Sequence, residues 1–571
     1  MMAAAMTTTA PSPPLPRSLE ATTLCEAFQI TAAERGGAAA LRAGPGAEPI
    51  AWTELAERVR GVAGGLASLG VRRGDAVGLM MVNRPEFNLV DLAALHLGAT
   101  PFSVYNTSTP EQIEYLFGNA GNSVVVTERG FLDVIRATRE RGAGIETIVL
   151  VDGEEEGTIA LDALERSAAA EFDFEATWRA VEPDDVATLI YTSGTTGPPK
   201  GVELTHANLL AEVRAVLDRL PTTPGGLGVS YLPSAHIADR WSAHYHSLIC
   251  LGAEIVCVAD PRTVAQHLPA IRPTTWGSVP RIWEKIKAAL EANGVTDPAA
   301  LPDEARAAIR KRLGLDRVEH LIGGAAPIPV EVLEYFRDLG LPICELWGMS
   351  ETSCCATINP PDDIRIGTVG PALRGVELRL AEDGELLVKS ELVMKGYRND
   401  PEKTAEAIDA DGWLHTGDVA EIDADGYVRI VDRKKELIIN AGGKNMSPAN
   451  IESRLKTSHP LIGQAVAIGD RRPYNVALIV LDPDVSAAFA QEHGLDDASP
   501  AALAGDERVR SAVAEGVAAA NAHLSRVEQI KRFEILPVDW EPGGDELTPT
   551  MKLKRRPIAE KYAAVIEDLY A

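Results

Sequence analysis

The sequence predicts an α/β fold: a large N-terminal domain of mixed, mostly parallel sheets with a β-rich part, then a small α+β C-terminal domain. Three observations carry this. Through the first part of the chain, short apolar runs alternate with amphipathic helical stretches, the pattern of strands covered on both faces. From Gly367 onward, apolar residues instead recur at every second position, as in antiparallel strands with one wet face. At Asp432-Arg433-Lys434-Lys435-Glu436 a block of charges breaks that pattern.

Taken in order, residues 1–18 are rich in Ala, Thr and Pro, carry no charge before Arg17, and predict a disordered tail rather than a signal peptide. Met2 and Met6 are alternative starts. Residues 55–69 have helical apolar spacing and end at Gly70. Residues 76–82 predict a buried strand, and Asn83-Arg84-Pro85-Glu86 opens a helix over 87–97 that Gly98 closes. Residues 123–127 and 147–151 are further strands, while the Glu-rich stretch from Asp152 to Pro183 predicts a surface connection. Residues 229–237 run from a strand into a helix bearing Asp239 and Arg240, and His236 there is by default a satisfied structural histidine. Residues 274–285 repeat strand, turn and helix. Residues 321–327 form an apolar strand ending in Gly323 and Gly324, where a flat ligand can touch backbone. Residues 344–352 predict strand and loop; residues 376–380, 384–389 and 426–431 alternate with period two. The expected units are a tail (1–18), a large domain (19–431) and a small domain (432–571), with no internal repeat.

The most informative stretch is Tyr191-Thr192-Ser193-Gly194-Thr195-Thr196-Gly197-Pro198-Pro199-Lys200-Gly201. A strand at 186–190 precedes it and a capped helix start at Thr205-His206 follows. Its glycines let the backbone fold back and expose amides, and its hydroxyls and lysine point donors at whatever the loop encloses, which suits a polyphosphate. The spacing is not that of a Walker A loop, since no G-x-x-x-x-G-K-[ST] runs through it.

With 571 residues, more than one domain is expected. A net charge of −27 argues against a general nucleic-acid or anionic-membrane binder, so any anionic substrate must be held by local cations. The six cysteines show no C-x-x-C pair and no metal-ligand spacing, and fit reduced thiols of a cytoplasmic protein. No window approaches the length of a transmembrane helix.

Seven motifs in order then resemble the adenylate-forming (AMP-binding) superfamily, and within it the long-chain fatty-acid–CoA ligases. They are the loop at 192–201, Tyr231-Leu232-Pro233 with His236, Gly323-Gly324-Ala325, Trp347-Gly348-Met349-Ser350-Glu351, Thr416-Gly417-Asp418, Asp432-Arg433-Lys434-Lys435-Glu436, and Lys552. The likeness covers about Leu24 to Tyr562. Two positions depart from the usual pattern: Trp347 stands where the superfamily usually has Tyr, and Ser350 where Thr is usual.

The resemblance implies ATP-dependent activation of a long-chain fatty acid to an acyl-adenylate, then transfer to coenzyme A with release of AMP and pyrophosphate. It implies ATP, Mg²⁺ and coenzyme A as cofactors and co-substrates, a small domain that rotates about Asp432 between the two steps, and no nucleic-acid partner. Peripheral contact with a membrane and an oligomer are compatible with it. By the resemblance, Thr192, Ser193, Gly194, Thr195, Thr196, Gly197 and Lys200 wrap the β- and γ-phosphates. Glu351, with Thr192, matches the Mg²⁺ position, and Ser350 the α-phosphate contact. Asp418 and Arg433 match the ribose contacts; Gly323, Gly324, Ala325, Trp347 and Gly348 match the adenine site. Gly442, Gly443 and Lys444 are further cofactor-binding candidates. Lys552 matches the catalytic lysine, with Lys554 a weaker candidate, and His236 and Arg433 join Lys552, Glu351 and Ser350 as catalytic candidates. The alternatives are a fatty-acyl-AMP ligase, a ligase for medium-chain or aryl acids, and a lipid-binding protein that has kept the fold without the chemistry.

Overall fold

The computed structural model describes residues 15–192, 198–440, 445–548 and 551–571. The runs at 76–82, 123–127, 147–151 and 186–190 all enter one eight-stranded sheet, as Ala76–Met80, Val124–Thr127, Thr147–Leu150 and Val186–Thr192. Its middle strands are parallel and buried on both faces. Alternate residues serve opposite cores: Val124 and Val126 join the layer containing Leu66 and Val90, whereas Val125 packs with Ile113, Phe117 and Ile135. That double burial is why these strands read as continuous apolar runs. At one edge, Val186–Thr192 and Lys200–Thr205 form an antiparallel pair in which Thr192 opposes Lys200. Thr205 and Asn208 then close a capping box on the helix His206–Arg219.

Residues 152–183 are not a surface connection. They supply the edge strand Ile159–Ala160 and the short helices Leu161–Glu165 and Phe174–Arg179. Phe174 stacks on His96 at 5.3 Å, and Leu161, Leu164 and Trp178 are buried beside it. These apolar residues are too few and too spread among acids to give a legible period, yet they cap the helices over the sheet.

Two smaller sheets complete the large domain's α/β part. One joins Leu227–Ser230 and Glu254–Cys257 in parallel; the other joins Thr275–Ser278, His320–Gly323 and Ile343–Trp347 in parallel. After Leu227–Ser230 the chain turns through His236 into Ile237–Asp239 and a π-helix, Arg240–Cys250. Arg240 is fully buried, pairs with Asp91 at 2.6 Å and donates from Nε to the Ser234 carbonyl at 3.1 Å. His244 bonds Asp91 and Asn88. This polar network pins the His236 turn to the helix Pro85–His96.

The period-two segments form an antiparallel sheet of Glu377–Leu380, Glu385–Lys389, Leu414–Ile422 and Val428–Arg433. Asp432 lies inside the last of these, opposite Val419. Its carboxylate accepts from the Ser447 hydroxyl and the Ala449 amide, tying the sheet to the helix Pro448–Ser458. Beyond it, Ile462–Ile468, Asn475–Leu481 and Ile530–Ile535 form a three-stranded sheet covered on both faces. Ala477 and Ile479 face the helices Pro448–Ser458 and Glu507–Ala522, while Val476 and Leu478 face the C-terminal helices. This unit docks on the large domain through Arg281 with Asp482, Lys285 with Asp484 (3.3 Å) and Arg454 with Glu331 (3.7 Å).

Candidate active site

Between the sheets of the large domain and the docked small domain lies a cavity of about 1760 Å³. Every predicted site residue that the structure describes lines it. Thr192 and Lys200 come from the hairpin strands, and His236 from the pinned turn. Gly323, Gly324, Ala325, Trp347, Gly348, Ser350 and Glu351 come from the carboxyl ends of two parallel strands. Asp418 and Arg433 come from the antiparallel sheet, and Lys552 from the small domain. Ser193, Gly194, Thr195, Thr196, Gly197, Gly442, Gly443 and Lys444 lie outside the described residues.

At one end, the Lys200 ammonium sits 3.9 Å above the Tyr397 ring, and the Tyr397 hydroxyl donates to Glu351 Oε1 at 2.8 Å. Burial lowers the Lys200 pKa, and the Glu351 charge opposes that. Among the described residues, no donor is bonded to the second Glu351 oxygen. A magnesium ion takes one or two carboxylates and completes its octahedron with water and phosphate oxygens. One buried carboxylate with a spare oxygen beside a lysine that lines the same cavity fits that requirement. Tyr397 went unnoticed in the sequence because its place depends on a long-range pairing, Gly396–Tyr397 against Val202 and Glu203.

The glycine at 348 has a packing reason. A Cβ there would lie 2.1 Å from the Cys354 carbonyl oxygen, because the loop after Glu351 folds back through Ser353 and Cys354 at φ 55° and 114°. At Gly323 and Gly324, the Cβ positions are likewise filled by Ile328 and Leu346 side chains rather than by ligand space.

Farther along, the Trp347 indole N–H donates to Asp418 Oδ2 at 2.8 Å, and Arg433 Nε donates to Oδ1 at 2.7 Å. Burial raises the Asp418 pKa against these two donors. Trp347 thus offers its ring to the cavity while its edge fixes the carboxylate that faces the same space. Phe at this position keeps a ring and removes the donor. Trp347→Phe is expected to raise the KM for ATP about tenfold or more, the range for a hydrogen bond to a charged group; AMP titration by calorimetry checks it.

His236 Nδ1 accepts from the Ala238 amide at 3.1 Å, which leaves the ring proton on Nε2. Burial, with the nearby Lys552 charge, pushes its pKa down to about 4, so the ring is a neutral donor at physiological pH. It is both the cap of a helical turn and a cavity residue. Lys552 is solvent-accessible at the cavity mouth, with Arg433, Asp418, Glu436 and Glu351 around it; the protein crowded about it and then the Arg433 charge lower its pKa. Its loop is fastened by its own amide to Thr548 Oγ1 (2.9 Å) and by Arg555, which forks onto Glu452 at 2.6 and 2.8 Å. Lys554 instead donates its Nζ to the Gly544 carbonyl at 2.7 Å. Glu345 was also missed: burial raises its carboxyl to about 7, and among the described residues its Oε2 has no partner.

The AMP-binding enzyme family model matches residues 28–398, and the AMP-binding enzyme C-terminal domain model matches residues 435–571. The protein named fatty-acid–CoA ligase fadD11 of Mycobacterium tuberculosis is 54% identical over 452 residues, covering 73% of this chain and 79% of that protein. Long-chain-fatty-acid–CoA ligase FadD15 of the same species is 35% identical over 560 residues, covering 91% and 92%. Among solved structures, the adenylation domain of a carboxylate reductase from Mycobacterium chelonae superposes with a TM-score of 0.80 at 22% identity, covering 97% of this chain and 93% of that one. The chain belongs to the AMP-binding enzyme family.

Proposed function

We propose that the protein is an AMP-forming acid–CoA ligase that activates long-chain fatty acids. The observation that carries this reading is Lys552, brought by the small domain into the cavity where Lys200, Glu351, Asp418 and Arg433 already converge. Attack of a carboxylate on the α-phosphate of ATP brings two anions together, so the cost lies in developing negative charge. Lys200 and Lys552 supply cations at that place, and His236 supplies a neutral N–H donor. Glu351 would hold Mg²⁺, which when bound would supply further charge neutralisation on the phosphates. Asp418, steadied by Trp347, accepts from the ribose hydroxyls, and Arg433 donates beside it. The thiol of coenzyme A then displaces AMP.

Long chain length is supported by the name of one mycobacterial relative, the long-chain-fatty-acid–CoA ligase FadD15. Among the described residues no helix is long and apolar enough to cross a membrane. Six free, buried cysteines support a reducing, cytoplasmic location.

The test is product analysis with palmitate, ATP and Mg²⁺, with and without coenzyme A. AMP, pyrophosphate and palmitoyl-CoA are expected, with turnover requiring coenzyme A. ADP as product would overturn the mechanism; palmitoyl-adenylate released equally with and without coenzyme A would favour the acyl-AMP ligase reading.

A further inference from the structure

The cavity does not end at the reacting groups. It continues past His236 beside the π-helix, where Val216, Leu220 and Ile322 give it the apolar wall an acyl chain needs. His246 lies ten residues beyond His236 along that helical path, on the order of 10–15 Å away at helical rise.

This wall is not apolar throughout. Trp241, His246 and His320 belong to it, and His246 packs against the Trp241 ring at 5.3 Å. The His320 Nε2–H donates to the Pro221 carbonyl at 2.8 Å, which leaves Nδ1 as an acceptor. Among the described residues that Nδ1, His246 Nε2 and the Trp241 indole N–H have no hydrogen-bond partner, although all three are shielded from water. Burial, with the neighbouring His320, holds His246 neutral. A buried polar atom without a partner is destabilising, and its persistence asks for an explanation. Trp241 and His320 each neighbour His246 and all three residues line the cavity, so small turns of these rings would let a ligand bring the missing partners. The terminal torsion of a histidine is broad, so a modest turn of the His246 ring presents Nε2 to the cavity.

We propose that the acid this enzyme activates carries a hydroxyl or oxo group remote from its carboxylate, bonded by His246, His320 and Trp241. This rests on the acid–CoA ligase reading and names its substrate class. A hydroxyl fits best, since it accepts from the Trp241 N–H and donates to His320 Nδ1. A plain chain leaves those groups unpaired, and a site built around a hydrogen bond discriminates strongly against the analogue lacking it.

The experiment compares kcat/KM, by pyrophosphate release, for stearate against 12-hydroxystearate and for palmitate against 16-hydroxypalmitate. At least one hydroxylated acid is expected to exceed its parent by about tenfold or more. His246→Leu and His320→Leu are expected to bring that ratio within about threefold of unity, mainly by improving the plain acid. His246→Gln and His320→Gln, which keep a hydrogen-bonding group, should retain part of the preference, and melting temperatures show that the variants fold. Equal kcat/KM within both pairs overturns the proposal, as does a preference that both leucine variants leave unchanged. Absence of AMP formation with all four acids instead overturns the ligase reading, and this proposal with it.

Discussion

Lys552→Ala is expected to slow acyl-adenylate formation a hundredfold or more while leaving conversion of supplied acyl-adenylate and coenzyme A to thioester near its normal rate. Removing one electrostatic contact at a reacting centre typically costs about 3 kcal/mol. Lys552 belongs to the small domain and stands near Glu351 and Asp418 in this docked arrangement, so the loss should fall on the first step alone if that domain turns away for the second. Lys554→Ala is the control, since that ammonium is held by the Gly544 carbonyl. Mass-spectrometric assay of each half-reaction decides the matter: equal loss in both steps would signal a docking defect. The same lysine predicts a pH profile. Its folded pKa is lowered from 10.5, and the cation is the working form, so adenylation should fall as pH rises through that lowered value. The alkaline limb of kcat/KM therefore lies below the ordinary lysine range, and Lys552→Arg, always charged, should lose it.

Glu351→Ala is expected to cost a similar hundredfold or more in pyrophosphate release. It should also raise the Mg²⁺ concentration needed for half-maximal rate. Three contacts change at once: the spare carboxylate oxygen, the acceptor for Tyr397, and the negative charge that supports protonated Lys200. Tyr397→Phe separates them, because it frees the carboxylate without removing it. A smaller loss and an unchanged Mg²⁺ requirement are expected for that variant. Near-normal turnover of Glu351→Ala at low Mg²⁺ would remove the carboxylate from the metal site.

Much of this site was legible because its residues sit at the ends of strands whose apolar runs are unmistakable. Thr192 and Lys200, Gly323 and Gly324, and Trp347 to Glu351 are each carried by such a strand, so local pattern and site position coincide. What stayed hidden depends on pairs distant in sequence. Tyr397 reaches Glu351 only because a two-residue strand adds to the hairpin that carries Thr192 and Lys200. The tie between Trp347 and Asp418 crosses 71 residues and two sheets. Phe174 and Trp178 were lost among acids. The charge block at 432–436 marked the change of character, but the structure carries Val428–Arg433 straight through Asp432 and uses that carboxylate to hold Ser447. An interruption in hydropathy and the end of a strand are different events.

The six native thiols bear on how motion in this molecule can be watched. All are buried, and burial pushes Cys250 and Cys344 up to about 12 and the others at least as far in the same direction. The thiolate is the form that reacts with a maleimide, so the unaltered chain should be nearly silent to such dyes. The substitutions Asp133→Cys on the large domain and Glu492→Cys on the small one, both at exposed positions, would then be labelled selectively, with no native cysteine removed. Energy transfer between that pair would report whether the angle between the two domains changes during a catalytic cycle.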